Sequence, residues 1–190
     1  MDDVEERAMW EPTGERSRVN YFPGRTLTAS DLAAEQVQAR ERLWLHNRAL
    51  HGDGIALGLE VTVDRNTVHV APGFAIDVLG REIVLTERRS LDASSVVRES
   101  HGRVQLVIAW AEEPADPMVA PDGPVAGRFV ERPHVMLAEH ALGEAPEHAV
   151  PLARLYRHGE ELVADPSIRL HVHQHVHQLP HPQAQVHREL

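Results

Sequence analysis

The chain has 190 residues and a formal net charge of −10, and its 19 basic residues are all arginines. This acidic balance argues against a nucleic-acid partner, which requires a positively charged face. No cysteine is present, so disulfides, thiolate metal sites and thiol catalysis are excluded. No apolar run approaches the ~20 residues that span a bilayer, and we therefore expect a soluble protein without a membrane partner.

A single long helix is predicted from about residue 29 to residue 49. Thr28 and Asp31 have the spacing of a capping box, in which side chains satisfy the first backbone N–H groups of a helix. The two glycines of the sequence HGDG, residues 51–54, end the helix. Its apolar residues form one stripe at near-helical spacing, made of Leu32, Ala39, Leu43 and Leu50, with Val37 and Trp44 on an adjoining stripe.

After Gly54 the apolar residues recur at every second position, which is typical of β-strands. Residues 57–63 and 68–70 are predicted to form a hairpin. Residues 71–87 contain two more short strands, since Gly73 and Gly80 mark turns before and between them. Residues 103–111 are apolar on both faces, which favours a central strand.

The second half of the chain begins with a segment rich in Pro, Ala, Asp and Gly. These residues, 112–132, predict a long loop. Residues 134–142 and 150–156 are predicted to be a final pair of strands, and residues 159–166 a short additional strand.

Together these elements predict an α+β fold. In it, a long N-terminal helix packs on a small, mostly antiparallel β domain, which is followed by an extended His-rich C-terminal strand. The charged residues 1–20 are predicted to be a flexible or docking arm, residues 21–166 the helix plus β domain, and residues 167–190 a His-rich extended tail.

The tail contains the sequence HVHQHVHQ, with a histidine at every second position: His171, His173, His175 and His177. In an extended strand these side chains share one face, with neighbours roughly 6.5–7 Å apart. Neutral imidazole is a common ligand for transition metals such as Fe, Zn or Ni. One strand offers two ligands per ion, whereas three strands about a threefold axis would offer six. The row therefore predicts a homotrimer whose histidine strands meet on the axis and bind a transition metal ion.

Other interpretations of the same histidines remain open. The tail could be a loose or partner-binding arm that takes up metal only opportunistically, or it could sense pH. A metal-dependent enzyme or metal-handling protein would instead combine the tail with His46, His51 or His69 in a pocket of the β domain. The chain has no nucleophile elbow, phosphate-binding glycine loop or HExxH helix, and we predict no catalytic residue and no enzymatic activity.

Three stretches resemble a structural module of contractile phage tails and phage-tail-like contractile injection systems. They read YFPGRTLTASDL (21–32), RERLWLHNRALHGDGIALGLEV (40–61) and VAPGFAIDVLGREIVL (70–85), and VPLARLY (150–156) resembles the closing strand of the module. Where that module commonly has Gly-Trp-Gly after its helix, this chain has Gly-Asp-Gly at residues 52–54, so a packing role for the central position is not carried over.

The resemblance implies a structural particle component of the fibre, spike-associated or baseplate-attachment type. The implied partners are further copies of the chain and other subunits of the particle. The implied protein is a soluble component of a bacterial or phage particle that is assembled in the cytoplasm, and its final location is left open.

Overall fold

The computed structural model describes residues 17–94, 104–121, 123–139, 146 and 148–172. This part contains one α-helix, α1 (Ala29–Leu50), and twelve strands. The strands are β1 (Gly54–Gly58), β2 (Val61–Asp64), β3 (Thr67–Val70), β4 (Gly73–Ile76), β5 (Glu82–Leu85), β6 (Arg89–Asp92), β7 (Val104–Ala109), β8 (Glu112–Ala120), β9 (Gly123–Glu131), β10 (His134–Glu139), β11 (Val150–His158) and β12 (Glu161–Asp165). Contacts divide the chain into two units, with the boundary between Trp44 and Leu45.

Helix α1 confirms the predicted helix and both of its end signals. The Thr28 backbone N–H donates to Asp31 Oδ2 over 3.0 Å, and the Asp31 N–H donates to Thr28 Oγ1 over 3.2 Å. At the other end, the Gly52 N–H donates to the Asn47 carbonyl over 3.1 Å, and Gly52 has φ +70°, as in a left-handed helix cap.

Burial within α1 is confined to one residue of its last turns, Asn47. The apolar residues of the predicted stripe stay largely exposed: Leu32 and Leu50 retain 51% of their surface and Leu43 retains 43%. In the part of the chain that the structure describes, no helix is apolar over the length that a bilayer crossing requires.

Two three-stranded antiparallel sheets follow the helix, in the strand orders β1-β4-β5 and β2-β3-β6. The predicted strand 57–63 is divided between them, because Gly58 and Leu59 both adopt positive φ angles of 64° and 59°. Leu59 is fully buried at this break. The predicted hairpin is therefore confirmed only for β2 and β3, and the two predicted strands of residues 71–87 are confirmed as β4 and β5.

A four-stranded antiparallel sheet in the order β10-β7-β11-β12 supplies much of the core. β7 is central, as predicted, and Leu106 and Ile108 on it are fully buried together with Leu152 and Leu155 on β11. The predicted pairing of the two strands after residue 133 is wrong, because β10 and β11 lie on opposite sides of β7. The short strand predicted at 159–166 is present as β12.

Strands β8 and β9 form a separate two-stranded sheet with a long antiparallel register from Glu112↔Glu131 to Ala120↔Gly123. We call this pair the apolar hairpin. The prediction of a loop at 112–132 is therefore wrong. Proline cannot donate to a ladder and is confined to edge strands. In a two-stranded sheet both strands are edges, so Pro114, Pro117 and Pro124 are accommodated.

The predicted fold class is also wrong. About half of the described residues lie in strands, which are distributed over four sheets, and the single helix has 22 residues. The protein is mostly β rather than a long helix packed on a small β domain. The error arises because the proline-containing hairpin and the strand β6 have no alternating apolar pattern, so the sequence understates the extent of the sheets.

Candidate functional site

The beginning of the histidine row pairs with β1. The Ile55 N–H donates to the Leu170 carbonyl over 2.7 Å, and the Val172 N–H donates to the Ile55 carbonyl over 3.2 Å. His171 therefore forms a parallel bridge with Ile55. Val172 is buried and His171 is exposed, as expected for alternation along an extended strand. The structure thus places the first histidine of the row on the outer face of an added strand.

Residues 165–172, which we call the C-terminal segment, are fixed by two polar contacts. The Arg169 guanidinium donates to the Leu59 carbonyl over 2.7 Å and to the Gly58 carbonyl over 2.9 Å. Burial lowers the pKa of the Arg169 guanidinium, and the nearby Glu60 carboxylate partly opposes this shift. Upstream, hydrogen bonds from the Ser167 backbone and then its hydroxyl lower the pKa of Asp165 below its usual value. The two Arg169 hydrogen bonds hold the C-terminal segment against the bend formed by Gly58 and Leu59, whereas the Asp165–Ser167 contacts are local to the segment.

The other three predicted metal ligands, His173, His175 and His177, lie outside the described residues. Among the residues that the structure describes, no group of three His, Cys, Asp or Glu side chains is close enough to hold a metal ion. The metal site on His171 and these three residues therefore stays a prediction.

The histidines of the rival enzyme interpretation lie in two places. The rings of His46 and His51 meet edge to face at the end of α1, with centroids 5.3 Å apart. His69 lies on β3, where its Nδ1 is 2.7 Å from the Ser90 hydroxyl of β6. His46 and His51 therefore contact each other at the helix end, and His69 contacts a neighbouring strand.

Several residues of the resemblance motifs meet at one turn. Asp77 is buried and accepts hydrogen bonds from the backbone N–H groups of Leu79 and Arg81 and from Arg81 Nε, at 3.0, 2.8 and 2.6 Å. The buried Asn47 amide donates to the Gly80 carbonyl of the same turn over 2.9 Å. Arg48 donates to the adjacent Leu79 carbonyl. The Asn-Arg and Asp-x-x-Gly-Arg motifs are therefore structural: they attach the end of the helix to the β4–β5 turn.

The apolar hairpin is a surface that the sequence interpretation missed. Val119 is 96% exposed, and Met118, Phe129 and Val125 retain between 48% and 64% of their surface. The prolines and alanines of both strands line an open depression of about 320 Å³. The only sequence signal is an apolar and proline-rich composition, which is equally typical of a loop.

Charged residues form two ion pairs on the apolar hairpin, one near its base and one near its middle. Arg128 Nε is 3.1 Å from Asp116 Oδ2, and Arg132 Nε is 3.4 Å from Glu113 Oε2. These are exposed cross-strand ion pairs, which contribute little individually but fix the register of the two strands. The hairpin thus has charged pairs at its base and middle, and exposed apolar side chains on either side of the middle pair: Phe129 toward the base, and Met118, Val119 and Val125 toward the tip.

No protein-family model matches the chain, and no curated protein matches it. Solved structures do share its fold. A crystal structure of TssK has a TM-score of 0.50 at 13% identity over 78% of this chain. Chains in a TssK-TssF-TssG baseplate subcomplex and in a baseplate complex, both of the type VI secretion system, have TM-scores of 0.52 and 0.50 at 17% and 15% identity, each over 80% of this chain.

The mostly β fold of this chain is therefore one that also occurs in type VI secretion baseplate structures. The matched part spans 40%, 61% and 58% of the three neighbouring chains, so these proteins contain substantial further structure.

Proposed function

We propose that this protein is a non-enzymatic structural component of the baseplate of a phage-tail-like contractile particle. Two independent observations support the proposal. The sequence motifs resemble a module of contractile tails, and the fold is similar to that of TssK and of a chain in a TssK-TssF-TssG baseplate subcomplex. In this role the protein contacts other subunits of the particle.

The apolar hairpin is the observation that carries the proposed contact with other subunits. A two-stranded hairpin is at best marginally stable alone in water, and exposed apolar patches commonly mark binding sites. Its prolines remove backbone donors, so a neighbour would recognise its side chains rather than add a strand to its edge. The partner that fits is a baseplate subunit with an apolar cleft, into which Met118, Val119 and Phe129 insert.

Co-purification of the full chain with the other particle subunits tests this assignment. Val119→Asp and Phe129→Asp place charges in the proposed contact and should abolish co-purification while leaving the fold intact. Leu57→Asp is the matched control, because Leu57 is 71% exposed but lies on β1. If the hairpin variants co-purify as well as the native chain, the proposed contact through the hairpin is refuted. Absence of the native chain from isolated particles would refute the baseplate role itself.

The histidine row supports a second, finer part of the proposal. We propose that three copies associate, with their His171, His173, His175 and His177 strands around the axis and a transition metal ion, Fe, Zn or Ni, between them. The exposed position of His171 next to the buried Val172 supports a one-faced row. Removal of the metal with a chelator should then convert the trimer of the purified protein into smaller species in solution.

A further inference from the structure

The bend between β1 and β2 presents two carbonyl groups to one cation. Successive carbonyl groups of an extended strand point to opposite sides of the strand. Gly58 and Leu59 instead both have positive φ angles, and both of their carbonyl oxygens accept hydrogen bonds from the Arg169 guanidinium, at 2.9 and 2.7 Å. We call this pair of carbonyls the guanidinium site. A positive φ is uncommon for leucine, and such strained residues cluster where the backbone binds a ligand.

The bend that forms the guanidinium site is fixed by the strand that lies beside it. Leu59 is fully buried, and its N–H donates to the Pro72 carbonyl over 3.2 Å. Just beyond the bend, the Ala71 N–H donates to the Glu60 carbonyl over 2.9 Å. A Cβ at Gly58 would lie 2.4 Å from the Pro72 carbonyl oxygen, so the bend packs directly against the start of β4. These contacts hold the two carbonyls in place whether or not a cation is bound.

The contacts at the guanidinium site favour arginine over lysine. A guanidinium carries its N–H donors in a rigid fork, so two of its nitrogens bind two acceptors at once, whereas the lysine ammonium is a compact point charge. Both terminal nitrogens of Arg169 are used in this way. Burial lowers the pKa of Arg169, and the Glu60 carboxylate opposes this shift because it favours the positive charge. Recognition therefore combines charge with the planar shape of the guanidinium.

Recognition of the C-terminal segment continues along β1. The Ile55 N–H donates to the Leu170 carbonyl over 2.7 Å, and the Ile55 carbonyl accepts from the Val172 N–H over 3.2 Å. The Val172 side chain is buried. Gly54 permits this close approach, because a Cβ there would lie 2.7 Å from the Leu170 carbonyl oxygen. The backbone contacts require only an extended segment, whereas the side chains of Arg169 and Val172 supply a preference for sequence.

We infer that β1 and the guanidinium site form a peptide-binding site for an extended segment that has arginine at its first position and valine three residues later. Residues 169–172 are the ligand that occupies this site within the chain. Peptides that add a strand to a sheet edge gain affinity from backbone hydrogen bonds and specificity from side-chain pockets. A separate peptide of the same chemistry therefore binds when the chain's own segment leaves the site. The inference goes beyond the proposed function, because it does not depend on a baseplate role.

Binding of a separate peptide tests the inference. The receptor is the full chain with Arg169→Ala and Val172→Asp, two changes that lie in the segment and leave the site itself unaltered. The probe is a labelled peptide with the sequence of residues 165–172, DPSIRLHV, and fluorescence anisotropy measures its binding. The receptor should bind this peptide at least about tenfold more tightly than the native chain does, because the tethered native segment occupies the site at a high effective concentration.

Changes in the peptide and in the site serve as controls. Alanine in place of the peptide's arginine should weaken binding about tenfold, because hydrogen bonds from a charged group are lost. Lysine at the same position keeps the charge without the fork, and this peptide should bind less tightly than the arginine peptide. Gly54→Ala added to the receptor should abolish binding. Gly123→Ala is its matched control, because Gly123 also has a positive φ but nothing lies within 4 Å of a Cβ there.

Circular dichroism and denaturant unfolding establish that each receptor is folded. If the double variant does not fold, the full chain with Arg169→Lys replaces it as the receptor, and the same comparisons between peptides apply. A folded receptor that binds no peptide, or that binds the arginine and alanine peptides equally, would overturn the inference. Equal binding with and without Gly54→Ala would overturn it as well. None of these outcomes bears on the proposed baseplate role, which co-purification with particle subunits tests.

Discussion

At the scale of single residues, the turn at 77–81 shows how motif residues act as structural connectors. Asp77 satisfies the backbone of the turn, and Arg81 extends from it to stack over the Trp110 ring, 4.8 Å from the ring centroid. Asn47 and Arg48 bind two successive carbonyl groups of this turn. Polar contacts can therefore attach the helix end to the β domain without a large apolar side chain at position 53. This chain has Asp53 there, where the module that it resembles commonly has tryptophan.

Asn47→Ala should lower the free energy of unfolding by about 1–3 kcal/mol, because it leaves the Gly80 carbonyl without its buried donor. Denaturant unfolding of the full chain measures the change. Asn20→Ala is the control: Asn20 is exposed, and its loss should alter the free energy of unfolding by less than about 0.5 kcal/mol. Equal effects of the two substitutions would contradict a connecting role for Asn47.

The start of α1 gives a pH dependence. The backbone hydrogen bond from Thr28, followed by that from its hydroxyl, lowers the pKa of Asp31 below its ordinary value of 3.8, and Arg25 adds to the shift. A lowered folded-state pKa contributes stability above pH 3.8 that is lost as the pH falls through the folded-state pKa. Asp31→Asn should therefore lower the thermal unfolding midpoint at neutral pH. The difference in midpoint between this variant and the native chain should become smaller in acid, where the native Asp31 is protonated. Glu41→Gln, on an exposed position of the same helix, is the control.

At the scale of elements, Gly54 permits the C-terminal segment to lie against β1. Gly54 has φ +130°, and a Cβ there would lie 2.7 Å from the Leu170 carbonyl oxygen. Gly123 has a similar φ of +121° but nothing within 4 Å of a Cβ. Gly54→Ala should therefore cost about 2 kcal/mol more than Gly123→Ala, because the backbone strain is shared and only the overlap differs. Unfolding of both variants measures this difference, and equal costs would show that the segment does not constrain Gly54.

Local signals in the sequence predicted the elements whose causes are local. Thr28 and Asp31 begin the helix, Gly52 ends it, and the turn at Arg65 and Asn66 joins β2 to β3. Pairings between distant residues were not predictable in the same way. The bridge between Ile55 and His171 joins strands that are far apart in sequence, and no periodic pattern specifies that register.

The sequence analysis missed the apolar hairpin because pairing between its two strands, rather than the strand propensity of its residues, stabilises it. Prolines and small residues lower the strand propensity of β8 and β9, yet the two strands maintain a ladder from Glu112↔Glu131 to Ala120↔Gly123. Asp116, with φ +50°, and Gly127 opposite it interrupt the ladder without shifting its register. A sequence whose composition favours a loop can therefore form a hairpin when one register of the two strands also forms cross-strand ion pairs.

At the scale of the whole molecule, the two proposed contacts have different consequences for assembly. In the proposed function, the apolar hairpin contacts a different subunit, and the histidine row joins copies of the chain. The two contacts use different chemistry: apolar insertion and metal ligation. Each can therefore be disabled separately, which allows the contacts with other subunits to be separated from those between copies.

The histidine row predicts an assembly that depends on metal. The native chain should have the mass of three chains, and a chelator should reduce that mass and the thermal stability, since a ligand that binds only the assembled state stabilises it by about 2.7 kcal/mol at a hundredfold excess over its dissociation constant. Alanine should abolish both effects of the chelator when it replaces all four histidines of the row: His171, His173, His175 and His177. Native sedimentation and metal analysis measure them.

A second variant separates this proposal from the metal-enzyme interpretation. It replaces the three histidines of the β domain and helix end with alanine: His46, His51 and His69. If the row alone binds the ion, this variant retains both the metal and the trimer, because the three replaced histidines do not belong to the row. Loss of metal from this variant with retention in the tail variant would transfer the site to the β domain and refute the axial arrangement. A native chain that is monomeric with or without chelator would refute the trimer as well.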